Sequence, residues 1–410
     1  MKEFEQKIGE VQFDKLKQRL KNVNYDITTH GIRNFSSSGI NYSHVNARLL
    51  TGYAYDEYYD WDLYFENLYL SYFGESRFCR NNLEVFLDRQ LECGFVSRTI
   101  VCPRERQHFK PFIAQTAWLS IQQTNDNRWL IGRYYTRIKK YLEYWFYYCD
   151  LDKNGLCVWD SADHSGMDNQ DLRAGKIGAM EVEGVDLNCY LYRELLAMEK
   201  IAISLGEEQD AVKYAKHAQE LASKINEIFW CEKDEFYYDR NEKTGELVCY
   251  RSIAGFMPLW AGIVSQERAK IIIEKHLLNP NSFWLEYPVA AWAKDEEGYY
   301  QQRRAHECNW MGTCWIPLNY LILHALMDYG YKKEAESLAY RTFEMVLKEA
   351  DTREYYNAET GSGQGLNPFW GWSALAYFMP LNFEMNYNPM NLDGNIRPLG
   401  IQEFDVPLYE

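Results

Sequence analysis

From Val185 to Leu205 the apolar residues Leu187, Leu191, Leu195, Met198 and Ala202 recur at steps of three and four, the period of a helix with one buried stripe rather than of a strand. Val212, Ala215, Ala218, Ala222, Ile225 and Phe229 repeat the pattern beyond Gly206, a residue suited to end a helix. The spacing predicts two antiparallel helices. It predicts similar pairs at 61–73 with 82–92, 111–123 with 131–148, 253–260 with 266–276, and 316–329 with 334–348. A last helix near Trp372 finds its partner around 4–20. Twelve helices in 410 residues leave about 34 residues for each helix and its loop, an ordinary allowance. The arithmetic predicts an all-α (α/α)6 toroid, a six-hairpin barrel with an inner and an outer layer and long loops around a funnel at one end. Four polar or Gly-rich stretches, 51–62, 150–178, 295–312 and 351–372, are those loops, and loops are where chemistry tends to sit.

Composition narrows the class. Lys and Arg total 44 against 59 Asp and Glu, a net charge of −15, which repels a phosphate backbone, and the longest basic cluster is Arg303-Arg304; no nucleic-acid partner is expected. No Gly/Ser-rich or Pro-rich linker divides the chain, so a single domain over 1–410 is expected. The N-terminus has no apolar run, and the most apolar later stretch is broken by Pro317, Asn319 and His324; a cytoplasmic protein without membrane attachment is expected. Ten scattered cysteines without a CxxC pair point to reduced thiols and away from structural zinc. Nothing sets the oligomeric state. The unusual quantity is 16% aromatic residues, with 33 Tyr, 20 Phe and 13 Trp. Most must be core, but a surplus of Trp and Tyr suits a sugar-binding cleft.

Four constellations hold the candidate chemistry. Tyr53 to Asp62 packs four tyrosines, Trp61 and four carboxylates into ten residues; ring faces suit the C–H face of a pyranose while carboxylates accept from its hydroxyls. The stretch 150–178 contains Asp160, Asp163, His164, Asp168 and Asn169 without helical period. Its opening, Asp150 to Gly155, imitates half of a calcium loop, but position twelve is Ser161 where a bidentate Glu is required, so it reads as a turn. Arg353 to Gly365 has three glycines in five residues beside Glu354, Glu359 and Gln364, which let backbone approach a ligand closely; without a Gly-Lys-Ser/Thr it is no phosphate loop. His306 to Trp315 adds the indoles of Trp310 and Trp315 to the rim.

The plain structural readings weigh against each of these. Most acids of a chain this acidic are solvated surface charges, and Trp61, Trp315 and Trp372 equally suit core anchors. His164 and His306 lack metal-ligand spacing and read as satisfied structural residues; Cys308 and Cys314 read as buried thiols. No Gly-x-Ser-x-Gly elbow is present.

The loops, in this order, resemble the trehalase-like clan of inverting α-glycosidases, in particular glycoside hydrolase family 63 and its mannosylglycerate and glucosylglycerate hydrolase branch. The matching segments are Tyr59-Asp60-Trp61-Asp62-Leu63-Tyr64-Phe65, Lys110-Pro111-Phe112-Ile113-Ala114-Gln115, Ser165-Gly166-Met167-Asp168-Asn169, Val185-Asp186-Leu187-Asn188, Asn309 through Tyr320, and Glu354-Tyr355-Tyr356-Asn357 with Thr360-Gly361. The resemblance implies the (α/α)6 barrel, Asp168 as general acid and Glu354 as general base. It also implies Trp61 and Asp62 around the glycosyl unit, with Tyr59, Gln115, Asn169, Trp315, Gln364, Trp370 and Trp372 as further substrate-binding candidates. It implies neither cofactor nor metal. Two departures bear on specificity: Gln170-Asp171-Leu172-Arg173 follows Asn169 where the family often has Ser-Pro-x-x-Asp, suggesting a different far wall, and Met311 replaces an arginine.

Inverting hydrolysis needs an acid and a base roughly 6.5–9.5 Å apart, with water on the far face of the sugar. A protonated Asp168 in a poorly solvated site, raised by negative neighbours, and an ionised Glu354 beside polar donors are therefore expected, with Asp160, Asp163 and Glu359 as nearby alternates. The substrate class is a small α-glucoside, α-mannoside or related glycoside. Two other readings stay open at this level: a sugar epimerase of the acylglucosamine epimerase type, working through histidines, and a carbohydrate-binding toroid without catalysis.

Overall fold

The computed structural model of the chain describes residues 2–34, 48–304, 308–394 and 396. Some helices are buried on every side and form the inside of the molecule. All of Asp60–Tyr72 is buried, and so is Ile316–Asp328 from Ile316 to Leu326. Val185–Leu205 stops where predicted, with Gly206 left-handed at φ 77°, and the chain turns back as Glu208–Ile228. This second helix buries one stripe only, Ala211, Tyr214, Ala218, Leu221 and Ile225. Val212 is 70% exposed: Ala211 takes its core position, and the larger Tyr214 and Leu221 take those that the sequence pattern gave to Ala215 and Ala222.

The inner elements close a ring. Asp60–Tyr72 packs on Ile113–Thr124, which packs on Val185–Leu205; the sequence continues through Met257–Ala261, Ile316–Asp328 and the 3-10 turn Ser373–Tyr377, which returns to Asp60–Tyr72. Outside them run Arg77–Asp88, Arg133–Tyr144, Glu208–Ile228, Gln266–Ile271, Lys332–Leu347 and Glu10–Asp26. The fold is the all-α (α/α)6 toroid.

Two pairs differ in detail from the periodicity. The segment 253–260 is a 3-10 turn, Ile253–Phe256, followed by the short helix Met257–Ala261, which Gly262 ends. Its partner starts at Ser265, whose hydroxyl accepts from the Arg268 N–H, and widens into a π turn at Ile272–Leu277. Near Trp372 the chain makes the 3-10 turn first and becomes α-helical only at Met379–Met385, with Pro380 in its first turn. The helix Glu10–Asp26 packs on Lys332–Leu347, and the short helix before it, Lys2–Ile8, reaches the last helix through Lys7, whose Nζ lies 2.5 Å from Glu384 Oε1.

Short strands, invisible to a period search, brace the loops. Val158–Trp159, Val182–Glu183, Asp239–Asn241 and Leu247–Val248 form an antiparallel sheet, and Tyr355–Tyr356 pairs with Gly363–Gln364. Tyr356 also bridges to Cys314, which brings the 351–372 loop onto the segment before Ile316. Among the described residues no helix is long and apolar enough to cross a membrane.

One buried carboxyl joins two inner helices. Glu194 of Val185–Leu205, fully buried, accepts from the Ala114 N–H (2.7 Å) and the Gln115 N–H (3.2 Å) at the start of Ile113–Thr124, whose N-terminus has no side-chain cap of its own. Glu194→Ala leaves those donors without acceptor, at a cost of about 1–3 kcal/mol. The expected result is a melting temperature lower by a few degrees in a thermal unfolding scan.

Candidate active site

At one end of the ring a cavity of about 110 Å³ opens among the loops. This is the scale of one sugar ring, not of an extended groove. Its floor comes from the first turn of Asp60–Tyr72, from which Trp61 and Asp62 face the cavity. Of the four carboxylates in 53–62 only Asp62 does so. Asp56 pairs with Arg33. Glu57 clamps the backbone N–H groups of Tyr58, Ile100, Val101 and Cys102. Asp60 holds Lys110: its carboxylate accepts from the Lys110 N–H at 3.0 Å and from Nζ at 3.1 Å, and neither side chain is exposed. The Lys110 ammonium in turn lies 5.0 Å from the centre of the Trp61 ring, a cation–π contact from which water is excluded.

Aromatic walls surround this floor. Trp310 and Trp315 stack at 3.7 Å with planes 7° apart, and Trp315 stacks on Tyr355 at 4.5 Å. Trp372 meets Trp61 edge-on and donates its indole N–H to the Glu354 carbonyl. Tyr59, Tyr55 and Phe369 complete the wall. Trp61 and Trp315 are buried and also line the cavity, so these rings belong to the core and to the cavity wall at once.

Asp168 and Glu354 line this one cavity. Asp168 follows a sharp turn at Gly166, φ +84°, where a Cβ would meet the Trp61 ring at 2.6 Å; only glycine lets the loop lie against the indole. Burial, and then the Asp163 carboxylate, push Asp168 up to about 7, against the pull of Arg98 and Lys110. Glu354 accepts from the Leu366 N–H at 2.9 Å and from the Cys308 thiol at 3.3 Å; burial raises it, while these two donors and Arg303 hold it down. Asp163 also lines the cavity, accepts from Gln107 and lies 3.6 Å from Arg98; although burial opposes it, Arg98 brings this carboxyl below its usual value.

The other sequence candidates fall elsewhere. Gln115 is buried on the helix behind the site, its amide donating to the Pro111 carbonyl. Asn169 is a brace: its carbonyl accepts from the Trp310 N–H and its amide donates to Tyr300. Gln364 donates to the Gln301 carbonyl and Trp370 to the Thr51 carbonyl. None of these four lines the cavity. Among the alternates, Asp160 accepts from the Gly178 N–H and Glu359 pairs with Lys294. The glycines at 361, 363 and 365 accommodate Tyr287, Arg353 and Glu354, so they make room for the chain's own side chains where close approach to a ligand was expected. The departures act similarly. Gln170 donates to the Trp310 carbonyl, Arg173 bridges Asp186 and Asp239 in the core, and neither Arg173 nor Met311 reaches the cavity wall. His164 is locked, donating to the His108 carbonyl and accepting from the Asp160 N–H; burial drives its pKa down. His306 and Glu307 lie outside the described residues.

Sequence reasoning missed Arg98, Arg104 and the exposure of Cys308 to the cavity. Only spacing to a folded partner could have revealed them, since each sits in a segment without period. Arg98 donates to the Asp163 carbonyl at 2.6 Å, tying the acidic loop to the floor. Lys110→Met should strip Asp60 of its buried partner and cost about 3–5 kcal/mol, with much of the loss recovered in the Asp60→Asn/Lys110→Met double variant; chemical denaturation of the three proteins measures this coupling.

Comparison with known proteins agrees with the architecture. The mannosylglycerate hydrolase of Thermus thermophilus is 29% identical over 210 residues, 48% of this chain and 45% of that protein. The cytosolic neutral trehalase of Kluyveromyces lactis is 30% identical over 173 residues, 40% of this chain and 22% of that protein. The matched part thus spans less than half the length of these relatives. A crystal structure of the glycoside hydrolase family 63 mannosylglycerate hydrolase from Thermus thermophilus in complex with glucose superposes with a TM-score of 0.67 at 19% identity, over 80% of this chain and 95% of that one. Residues 55–373 match the family described as "Mannosylglycerate hydrolase MGH1-like glycoside hydrolase domain". The chain therefore belongs to that family of glycoside hydrolases.

Proposed function

We propose that the protein is an inverting α-glycosidase that cleaves a small α-glucoside, α-mannoside or related glycoside, with Asp168 as general acid and Glu354 as general base, and that 1–410 works as one catalytic unit. The observation that carries the reading is that two acids 186 residues apart (354 − 168) line one cavity walled by indoles. Asp168 is held near the protonation state an acid needs. Glu354 receives two hydrogen-bond donors, which suit a carboxylate that takes a proton from water. In the single displacement Asp168 donates its proton to the leaving oxygen as the glycosidic bond breaks. Water, deprotonated by Glu354, attacks the anomeric carbon from the opposite face. Asp62 and the rings of Trp61 and Trp315 hold the glycosyl unit. A cytosolic location, as for the cytosolic neutral trehalase of Kluyveromyces lactis, is part of this reading.

No described histidine lines the cavity, so nothing favours proton transfer by imidazole as in an epimerase. Arg104 is exposed and lines the cavity, as does Arg98. In this reading Arg104 faces the leaving group, which suits a short anionic aglycone of the glycerate type named for the mannosylglycerate hydrolases.

The first test is product stereochemistry. An α-glycoside followed by proton NMR should release the β-anomer first; first-formed α-anomer excludes the single displacement. Asp168→Asn and Glu354→Gln should each lower kcat by roughly 10²–10⁴-fold with unchanged melting curves.

The pH dependence has a defined sign. Asp168 must carry its proton, so kcat/KM should fall as pH rises through about 7. Glu354 must have lost its own, so the acid limb should lie above the ordinary glutamate value of 4.5. Asp163→Asn removes the carboxylate that raises Asp168 and should move the alkaline limb to lower pH. Finally, Arg104→Ala should raise KM for a glycoside of a hydroxy acid about tenfold, within the range of one charge-assisted contact, and leave KM for the methyl glycoside nearly unchanged in parallel initial-rate assays.

A further inference from the structure

A second and larger cavity, about 540 Å³, lies between the outer helices Arg133–Tyr144 and Glu208–Ile228, with Leu195 of the inner helix Val185–Leu205 at its floor. It shares no lining residue with the catalytic cavity. Its shape comes from a local irregularity. After Tyr144 the helix widens into a π turn, Trp145–Cys149, a feature that often marks functional positions. In the aromatic run Tyr144 to Tyr148 only Trp145 is fully covered. Tyr147 is 69% exposed and Tyr148 is 44% exposed, with ring centres 4.7 Å apart and planes at 77°, and the Lys153 ammonium lies 5.5 Å from the Tyr147 ring centre. Adjacent rings left facing water cost free energy that a surface without a ligand has no reason to retain.

The polar groups of this crevice point to what would cover those rings. Tyr214 is buried and its ring lines the cavity, while its hydroxyl is closed off from solvent. His217 packs on Phe146 at 4.2 Å, and burial lowers its pKa. At the rim Glu143 and Lys213 approach within 3.9 Å, and Glu92 and Lys140 complete a border of balanced charge. Such a border selects neither an anion nor a cation.

We propose that this crevice is a second, non-catalytic carbohydrate site: Tyr147 and Tyr148, set nearly at right angles, pack against successive units of an oligosaccharide, and the His217 ring and the rim side chains take its hydroxyl groups. Rings for the apolar face and neutral or balanced polar groups for the edge are the complement of a neutral glycan. The volume exceeds that of the catalytic cavity, so a chain of more than one sugar unit fits here.

Calorimetric titration of the full chain with maltotriose tests this. Binding is expected in the native protein and should persist when a small α-glycoside occupies the catalytic cavity. Tyr147→Ala/Tyr148→Ala, changes at exposed positions, should weaken it about tenfold or more, the loss of two ring contacts, while hydrolysis of a small α-glycoside stays as it was. Binding unaltered in the double variant overturns the proposal, as does a crevice that takes up 1-anilinonaphthalene-8-sulfonate and no maltotriose. The readout is binding alone, so its failure is distinct from any failure of the hydrolytic assignment.

Discussion

The site depends on an ammonium that has been taken out of water. Lys110 is fully buried, and without Asp60 it could not stay charged there. The pair does three things at once. It ties the segment leading into Ile113–Thr124 to the first turn of Asp60–Tyr72. It sets a positive charge against the Trp61 ring. It also stands close enough to Asp168 to oppose the rise in that carboxyl's pKa. Arg98, 4.0 Å from Asp60 and bonded to the Asp163 backbone, extends the same charge balance to the acidic loop. Carboxyls that burial and each other would drive to neutrality are thereby kept within reach of ordinary pH.

The ring frame follows from burial on all sides of the inner helices and on one stripe of the outer ones. That contrast was legible in the sequence wherever helices are long. It failed in detail where Pro and Gly shorten the element, at 253–261 and 373–385, because a turn or two of helix is too brief to show a period. It also slipped by one position in Glu208–Ile228, where Tyr214 and Leu221 have more surface to bury than Ala215 and Ala222.

The candidate site was legible as loops and less so as side chains. The segments containing Trp61, Asp168, Trp315 and Glu354 come together as the resemblance implied. Composition could not sort the acids within them, because Asp56, Glu57, Asp60 and Asp62 look alike in a string and differ only in which partner lies across the fold. Asn169 and Gln170 illustrate the reverse. Their amides, plausible sugar contacts in sequence, are used up in holding Trp310. Arg98 and Cys308 carried no local signal, since their position depends on loops remote in the chain.

The stacked indoles of Trp310 and Trp315, with Trp61 tilted against Trp310 and Trp372 edge-on to Trp315, have an optical consequence. Rings this close exchange excitation energy, so light absorbed by any of them is emitted by the group. A molecule that touches one ring, or displaces the water beside it, alters the glow of all, and the cavity carries its own label for whatever enters it.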